Sequence, residues 1–294
     1  MRTAVVLVAA LTGGALAQQT PVRDQKPFKA GVEIVTIAAT VTDAEGHLIR
    51  DLPREAFEVL EDGQKQTITQ FTNERVPLGL GLLLDSSDSM FGTRIKDARI
   101  AVDRFLFDLL DPSDEFFVGA FNHKPRTLTT WGRDRVLVER VLGAIQPSGG
   151  TAIYDAVLAA LPIMATRTRQ RAAILVISDG ADTASDGTLR DVRAALWRSD
   201  SFVYAIAIDP PERQAINTRV NVQALREVTA ESGGHTEVVQ SSADLTEATA
   251  RIAEELNSQY VLGYSSSHPG DGRFHSIRVR AGSYRVRARN GYVR

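Results

Sequence analysis

The sequence predicts an α/β fold: a doubly wound, mostly parallel sheet accompanied by a small β-sandwich built from flanking N- and C-terminal strands. Three observations predict it. LGLGLLLD (78–85), AAILVIS (172–178) and FVYAIAID (202–209) are continuous apolar runs, the composition of parallel strands covered on both faces. Helical patterns separate those runs, and alternating strands and helices imply a doubly wound sheet. Both ends of the chain read as β segments too short to bury a core alone, so the economical arrangement pairs them with each other around an inserted α/β unit.

The elements follow in order along 294 residues, 43% hydrophobic and 24% charged, an ordinary composition for a folded chain. Arg2, the apolar stretch 4–11 and the A-x-A site ending at Ala17 form the pattern of a cleavable secretory signal over 1–17. The stretch is far shorter than the roughly 20 residues a membrane span needs. A secreted or periplasmic protein with no transmembrane segment in its mature chain is therefore expected. Residues 18–29, polar with two prolines, read as a flexible lead-in. Val35, Ile37, Ala39 and Val41 alternate with Thr36, Ala38, Thr40 and Thr42, the period of a half-buried strand. A turn follows at DAEGH, and Asp62-Gly63 between strand-like runs marks a hairpin. Residues 30–76 thus make the first part of the sandwich.

The α/β unit is expected over 77–257. Ile95, Ala98, Val102, Phe105, Leu106 and Leu109 form one helical stripe, and Leu245, Ala248, Ile252 and Leu256 another; further helices are expected near 133–145, 151–165, 188–199 and 220–232. EFFVGAFN and KPRTLTTW read as an antiparallel pair at the sheet edge. Residues 258–294 return to strands. There Arg278, Arg280, Arg285, Arg287 and Arg289 alternate with apolar residues and are expected on one solvated hairpin face, an ordinary basic surface or an anion-binding one. The net charge of −2 gives no sign of a nucleic-acid partner, and the absence of cysteine excludes disulfides and thiolate metal ligands.

Ligands of doubly wound sheets sit at the carboxyl ends of the strands, near the point where strand order reverses. Three polar loops fall there: DSSDS from Asp85, SGGT ending at Thr151, and SDG with Asp179. A serine nucleophile lacks GxSxG, and no histidine or glutamate recurs near the three loops. A phosphate loop lacks GxxxxGK[ST]. Phosphoaspartate chemistry wants a second Asp where Ser87 stands, and a dinucleotide site wants glycines where serines stand. A divalent cation remains, because two carboxylates and three hydroxyls are the hard oxygen donors that Mg²⁺ prefers.

Asp85, Ser87 and Ser89 as D-x-S-x-S, then Thr151 in GGT, then Asp179 in SDG, resemble the metal-ion-dependent adhesion site of von Willebrand factor type A domains. The flanking segments resemble those of secreted bacterial von Willebrand factor A-related proteins. The resemblance implies a binding module, not an enzyme. In it Ser87, Ser89 and Thr151 give hydroxyl oxygens to Mg²⁺ or Mn²⁺, and Asp85 and Asp179 act largely through water. The cation would take an exposed Asp or Glu from a protein partner. Asp88 departs from the family pattern, which commonly has a small residue there. Ordinary readings stand beside these: Ser89 and Thr151 as helix caps, Asp179 as a turn residue, His123 as a loop histidine, His235 as a polar packing group, and Asp182 and Asp186 as solvated loop charge. The alternative functions are a metal-dependent hydrolase and an electrostatic envelope-binding protein using the arginine face.

Overall fold

The structure is a computed structural model that describes residues 34–179, 181–208, 222–268 and 270–294. The expected signal (1–17) and lead-in (18–29) lie outside the described residues, as does Asp209 at the end of the third apolar run. No helix among the described residues is long and apolar enough to cross a membrane.

The N-terminal segment supplies β1 (Ile34–Thr42), β2 (Phe57–Glu61), β3 (Gln64–Gln66) and β4 (Ile68–Thr72). Between β2 and β3, Asp62 (φ 49°) and Gly63 (φ 80°) both take left-handed backbone, the geometry a two-residue hairpin turn requires.

The central unit holds β5 (Leu78–Asp85), β6 (Glu115–Phe121), β7 (Pro125–Thr127), β8 (Arg171–Ser178), β9 (Phe202–Ile208) and β10 (Thr236–Val239), ordered β10-β9-β8-β5-β6-β7. All neighbours are parallel except β6 and β7. Helices α1 (Thr93–Arg104), α2 (Arg135–Gly143), α3 (Ile153–Met164), α4 (Leu189–Trp197), α5 (Val222–Ser232) and α6 (Ser242–Asn257) cover both faces. Leu80, Leu82 and Leu84 of β5 pack with residues of α1, α2 and α6, while Leu83 faces α3. A strand buried on both sides has no polar face, which is why these segments read as unbroken apolar runs. The α1 stripe continues into a π-helical turn, Phe105–Leu109, which leaves Leu109 only partly buried while Leu110 enters the core.

The chain then returns through β11 (Tyr260–Ser265), β12 (Phe274–Ala281), β13 (Arg285–Arg287) and β14 (Gly291–Val293). Two four-stranded antiparallel sheets result, ordered β13-β1-β11-β4 and β14-β12-β2-β3. C-terminal β11 sits between N-terminal β1 and β4, and β12 pairs directly with β2. Neither end segment can complete a sheet without the other. Their shared core joins Val35, Ile37, Ala39, Val41, Phe57, Val59, Leu262 and Ile277, with Phe57 and Tyr260 in ring contact at 4.8 Å between centroids.

Two sequence expectations need correction here. β1 is not half-buried: Ala38 joins the α/β core and Thr40 is 1% exposed, because this strand lies between the sandwich and the α/β unit. The five arginines do not share a hairpin face. β12 and β13 belong to different sheets; Arg287 is paired with Glu255 at 2.5 Å, and Arg289 is buried with its guanidinium donating to the Trp197 and Gly291 carbonyls. Strict alternation implies one face only within a single sheet, and Gly282–Tyr284 carries the chain from one sheet to the other.

Candidate functional site

Chain order places the site. From β5 the chain moves one way to β6 and β7, then crosses to β8 on the other side of β5. The reversal opens a crevice at the carboxyl ends of β5 and β8. Asp85 ends β5 and Asp179 follows β8; both are 0% exposed.

Asp85 is held from two sides. The Ser87 amide donates to Oδ1 at 2.8 Å, and the Ser178 hydroxyl donates to Oδ2 at 2.6 Å. Burial pushes the Asp85 carboxyl up to about 6; the Ser178 and Ser87 hydrogen bonds oppose that, and the negative charge of Asp179 adds to it. The Ser87 and Ser89 hydroxyls are 2.9 Å apart, and Ser89 Oγ donates to Asp179 Oδ1 at 2.5 Å. The first loop thus links both carboxylates, Asp85 through the Ser87 amide and Asp179 through the Ser89 hydroxyl.

The remaining loops lock to the first. Asp88 N donates to the Gly149 carbonyl at 3.0 Å, and Ser148 N to the Ser86 carbonyl at 2.8 Å. The Thr151 carbonyl accepts from Thr183 N at 2.8 Å and Ala184 N at 3.0 Å, while Thr151 N donates to Thr183 Oγ1 at 3.0 Å. Thr151 is 4% exposed. Gly149 has φ 75° and turns the chain, whereas Gly150 serves close approach: a Cβ there would lie 3.1 Å from the Ala184 Cβ and Thr183 Oγ1.

Neither Ser89 nor Thr151 is a helix cap. The residues before α1 and α3 are Gly92 and Ala152, neither with a side-chain cap. Instead Asp182 Oδ2 accepts from Tyr154 N at 3.0 Å, and Ser185 Oγ accepts from Asp155 N at 3.1 Å, so the third loop caps α3. Asp182 is thereby a structural acceptor, while Asp186 and Asp88 are exposed. His235 meets Glu237 at 2.9 Å, a polar packing role.

Sequence reading missed three participants. Arg94 Nη1 donates to the Ser89 carbonyl at 2.5 Å and lies 3.3 Å from Asp179 Oδ2, a cation already against the cup. Ser178 orients Asp85. A fourth loop also contributes: the Asn122 carbonyl accepts from Ala152 N at 2.7 Å, and a Cβ on Gly149 would come within 2.9 Å of His123 Nδ1. The expectation that no histidine stands near the loops is therefore corrected. Only the β6–β7 connection, invisible in spacing, brings His123 to the rim.

The donor set fits a hard dication, since every group converging on the crevice from the three loops offers oxygen and none offers sulfur.

The sequence profile of the von Willebrand factor type A domain matches residues 80–181. Inter-alpha-trypsin inhibitor heavy chain H2 of Mus musculus is 30% identical over 139 residues, covering 42% of this chain; the match spans only 14% of that relative's length. Among solved structures, a von Willebrand factor type A protein from Catenulispora acidiphila superposes with a TM-score of 0.55 at 14% identity, covering 78% of this chain and 71% of its own. The von Willebrand factor domain of a type V pilus tip protein from Porphyromonas gingivalis gives 0.51 at 16% identity, covering 62% of this chain and 96% of its own. These matches agree with the strand order and the helices on both faces: within the central α/β unit, residues 80–181 match the von Willebrand factor type A domain, and the unit has the fold of such domains.

Proposed function

We propose that the crevice binds Mg²⁺ or Mn²⁺ through Asp85, Ser87, Ser89, Thr151 and Asp179, and that the loaded site captures an exposed Asp or Glu of a protein partner without catalysing a reaction. The observation that carries this reading is the pair of fully buried carboxylates, Asp85 held by the Ser87 amide and Asp179 by the Ser89 hydroxyl, with the Ser87 and Ser89 hydroxyls 2.9 Å apart between them. Two buried anions of like charge favour positive charge between them, and Arg94 supplies it only from the Asp179 side, at 3.3 Å. The bound cation would supply a Lewis-acidic position for a partner carboxylate. Ser87, Ser89 and Thr151 add neutral oxygens, so the dication stays only partly neutralised. The leader peptide expected at 1–17 and the likeness of fold to a pilus-tip domain fit adhesion outside the cytoplasm.

The test is capture of partners from a cell-envelope extract by the mature chain, with Mg²⁺ or with EDTA. Capture is expected in Mg²⁺ and lost in EDTA. Thr151→Ala removes one neutral oxygen; metal affinity should fall by about tenfold, equivalent to ~1.4 kcal/mol, and capture much further. Arg285→Glu, exposed on β13, should leave capture unchanged. Capture that ignores EDTA but vanishes with added salt or in Arg285→Glu would replace this reading with the electrostatic one. His123 at the rim keeps one enzymatic outcome specific: a Mg²⁺-dependent hydrolysis lost in both Asp85→Ala and His123→Ala would make the protein a hydrolase.

Arg94 yields a separate expectation. Its guanidinium opposes a second cation in the cup, so Arg94→Ala should bind Mg²⁺ roughly tenfold more tightly by calorimetry, a modest Coulomb term for a partly solvated pair. Weaker binding would mean that the bond from Arg94 to the Ser89 carbonyl shapes the loop more than its charge repels the metal.

A further inference from the structure

The β-sandwich carries a cluster that the adhesion site does not use. Asp62 stands in the β2–β3 turn, His268 in the β11–β12 connection and His275 on β12. One ligating atom from each lies within 4.8 Å of the others. His275 Nδ1 is 2.7 Å from Asp62 Oδ2, and its Nε2 is 3.1 Å from Asp271 Oδ1. The two imidazoles stack at 4.5 Å between centroids and 14° between planes.

A second observation concerns the neighbouring buried carboxylate. Glu61 is 1% exposed, and its Oε1 accepts from the hydroxyls of Tyr264 at 2.8 Å, Tyr292 at 2.5 Å and Ser266 at 3.1 Å. Its Oε2 is buried without a hydrogen bond and faces His268 Nδ1 at 3.5 Å. A buried carboxylate oxygen left bare is costly. Glu61, Asp62 and Asp271 together place three carboxylates around two imidazoles that stack face to face.

We infer that Asp62, His268 and His275 form a binding site for a transition-metal dication of the Zn²⁺ type. Two imidazoles and one carboxylate make a borderline-soft donor set that selects Zn²⁺ over Mg²⁺, and three protein ligands leave a fourth position open. A tetrahedral ion with bonds of about 2.1 Å holds its ligand atoms roughly 3.4 Å apart. The Asp62–His275 pair, at 2.7 Å, therefore has to open slightly while His268 closes in, and the side chains of Asp62 and His268, each 41% exposed, are free enough to do so. The surroundings already hold the imidazoles as ligands need to be held. Asp271 accepts from the far nitrogen of His275, and the bare Glu61 oxygen faces Nδ1 of His268, leaving its other nitrogen for the ion. Because Asp62 lies on the N-terminal segment and both histidines on the C-terminal one, the ion would staple the two halves of the sandwich.

The experiment titrates the untagged full-length chain with Zn²⁺ and, separately, Co²⁺, in millimolar Mg²⁺ to fill the other site. It reads stoichiometry by calorimetry and the visible absorption of tetrahedral Co²⁺. One equivalent is expected in wild type and equally in Asp85→Ala. His268→Ala and Asp62→Asn, both at partly exposed positions, should fold normally by circular dichroism and lose at least tenfold in affinity; Glu61→Gln should lose roughly 10–100-fold. Three results overturn the inference: no stoichiometric ion in wild type, affinity unchanged in His268→Ala, or binding that disappears in Asp85→Ala.

Discussion

Without divalent cations, Asp85→Asn is expected to melt above wild type at pH 8, and in saturating Mg²⁺ below it. The crossing follows from what the carboxylate costs and what it is kept for. Asp85 is 0% exposed, and burial raises its carboxyl from 3.8 to about 6. Above pH 6 the ionised group therefore destabilises the metal-free fold by on the order of 3 kcal/mol. Asparagine keeps the shape and one acceptor oxygen, at the loss of about one hydrogen bond worth ~1 kcal/mol. The variant should gain a net of about 1–2 kcal/mol, or roughly 2–8 °C in Tm. Mg²⁺ at about 100 times its Kd stabilises wild type by ~2.7 kcal/mol, and the variant lacks most of this.

The sign of the pH dependence follows from the same group. Between its unfolded value near 3.8 and its folded value of about 6, Asp85 holds more proton in the native state. Its contribution to the metal-free protein therefore improves as pH falls from 7 toward 4. Metal binding has the opposite slope, because the proton must leave: Mg²⁺ affinity should fall by up to about tenfold per pH unit below 6. Thermal melts with and without EDTA at pH 5 and 8 read both effects. An Asp85→Asn variant less stable than wild type in EDTA at pH 8 would make Asp85 a structural hydrogen-bonding group, not a poised ligand.

Much of the fold was legible because burial on two faces writes itself into composition. LGLGLLLD and AAILVIS have no room for polar residues, and the hairpin at Asp62-Gly63 needs left-handed backbone. The candidate residues Asp85, Ser87, Ser89, Thr151 and Asp179 could be read because switch-point geometry gathers strand-end loops. What escaped depends on partners far along the chain. Nothing local marks Arg94, Ser178 or His123, which reach the crevice through a helix turn, a neighbouring strand and an edge hairpin. Thr40 looked like a solvent-facing threonine, yet the α/β unit covers it. The arginine alternation was real, but a change of sheet between Ala281 and Arg285 divided it. Asp62 and His275 are separated by 213 positions, and only sheet pairing joins them.

Glu255→Ala is expected to lower the melting temperature by about 10 °C or more. Glu255 is 5% exposed at the end of α6, where the α/β unit meets the sandwich. It accepts from Thr40 Oγ1 at 3.0 Å, Tyr204 OH at 2.7 Å and Arg287 Nη2 at 2.5 Å. Thr40 and Arg287 come from the sandwich, whereas Tyr204 is on β9. Gln259 extends the network, donating to Tyr204 OH at 2.9 Å and accepting from Arg171. Alanine would leave Tyr204 and Thr40 without an acceptor inside the interface and Arg287, 35% exposed, without its partner; each buried polar group so stranded costs about 1–3 kcal/mol. Arg287→Ala together with Glu255→Ala should cost less than the two apart, since the charges are removed as a pair. A fragment of residues 77–257 sharpens the test. It keeps all three loops and should still respond to Mg²⁺, but it lacks Thr40, Arg287 and Gln259, so Glu255→Ala should cost it little. An equal loss in the fragment and in the full chain would mean that Glu255 acts within the α/β unit alone, and that this network does not join the two units.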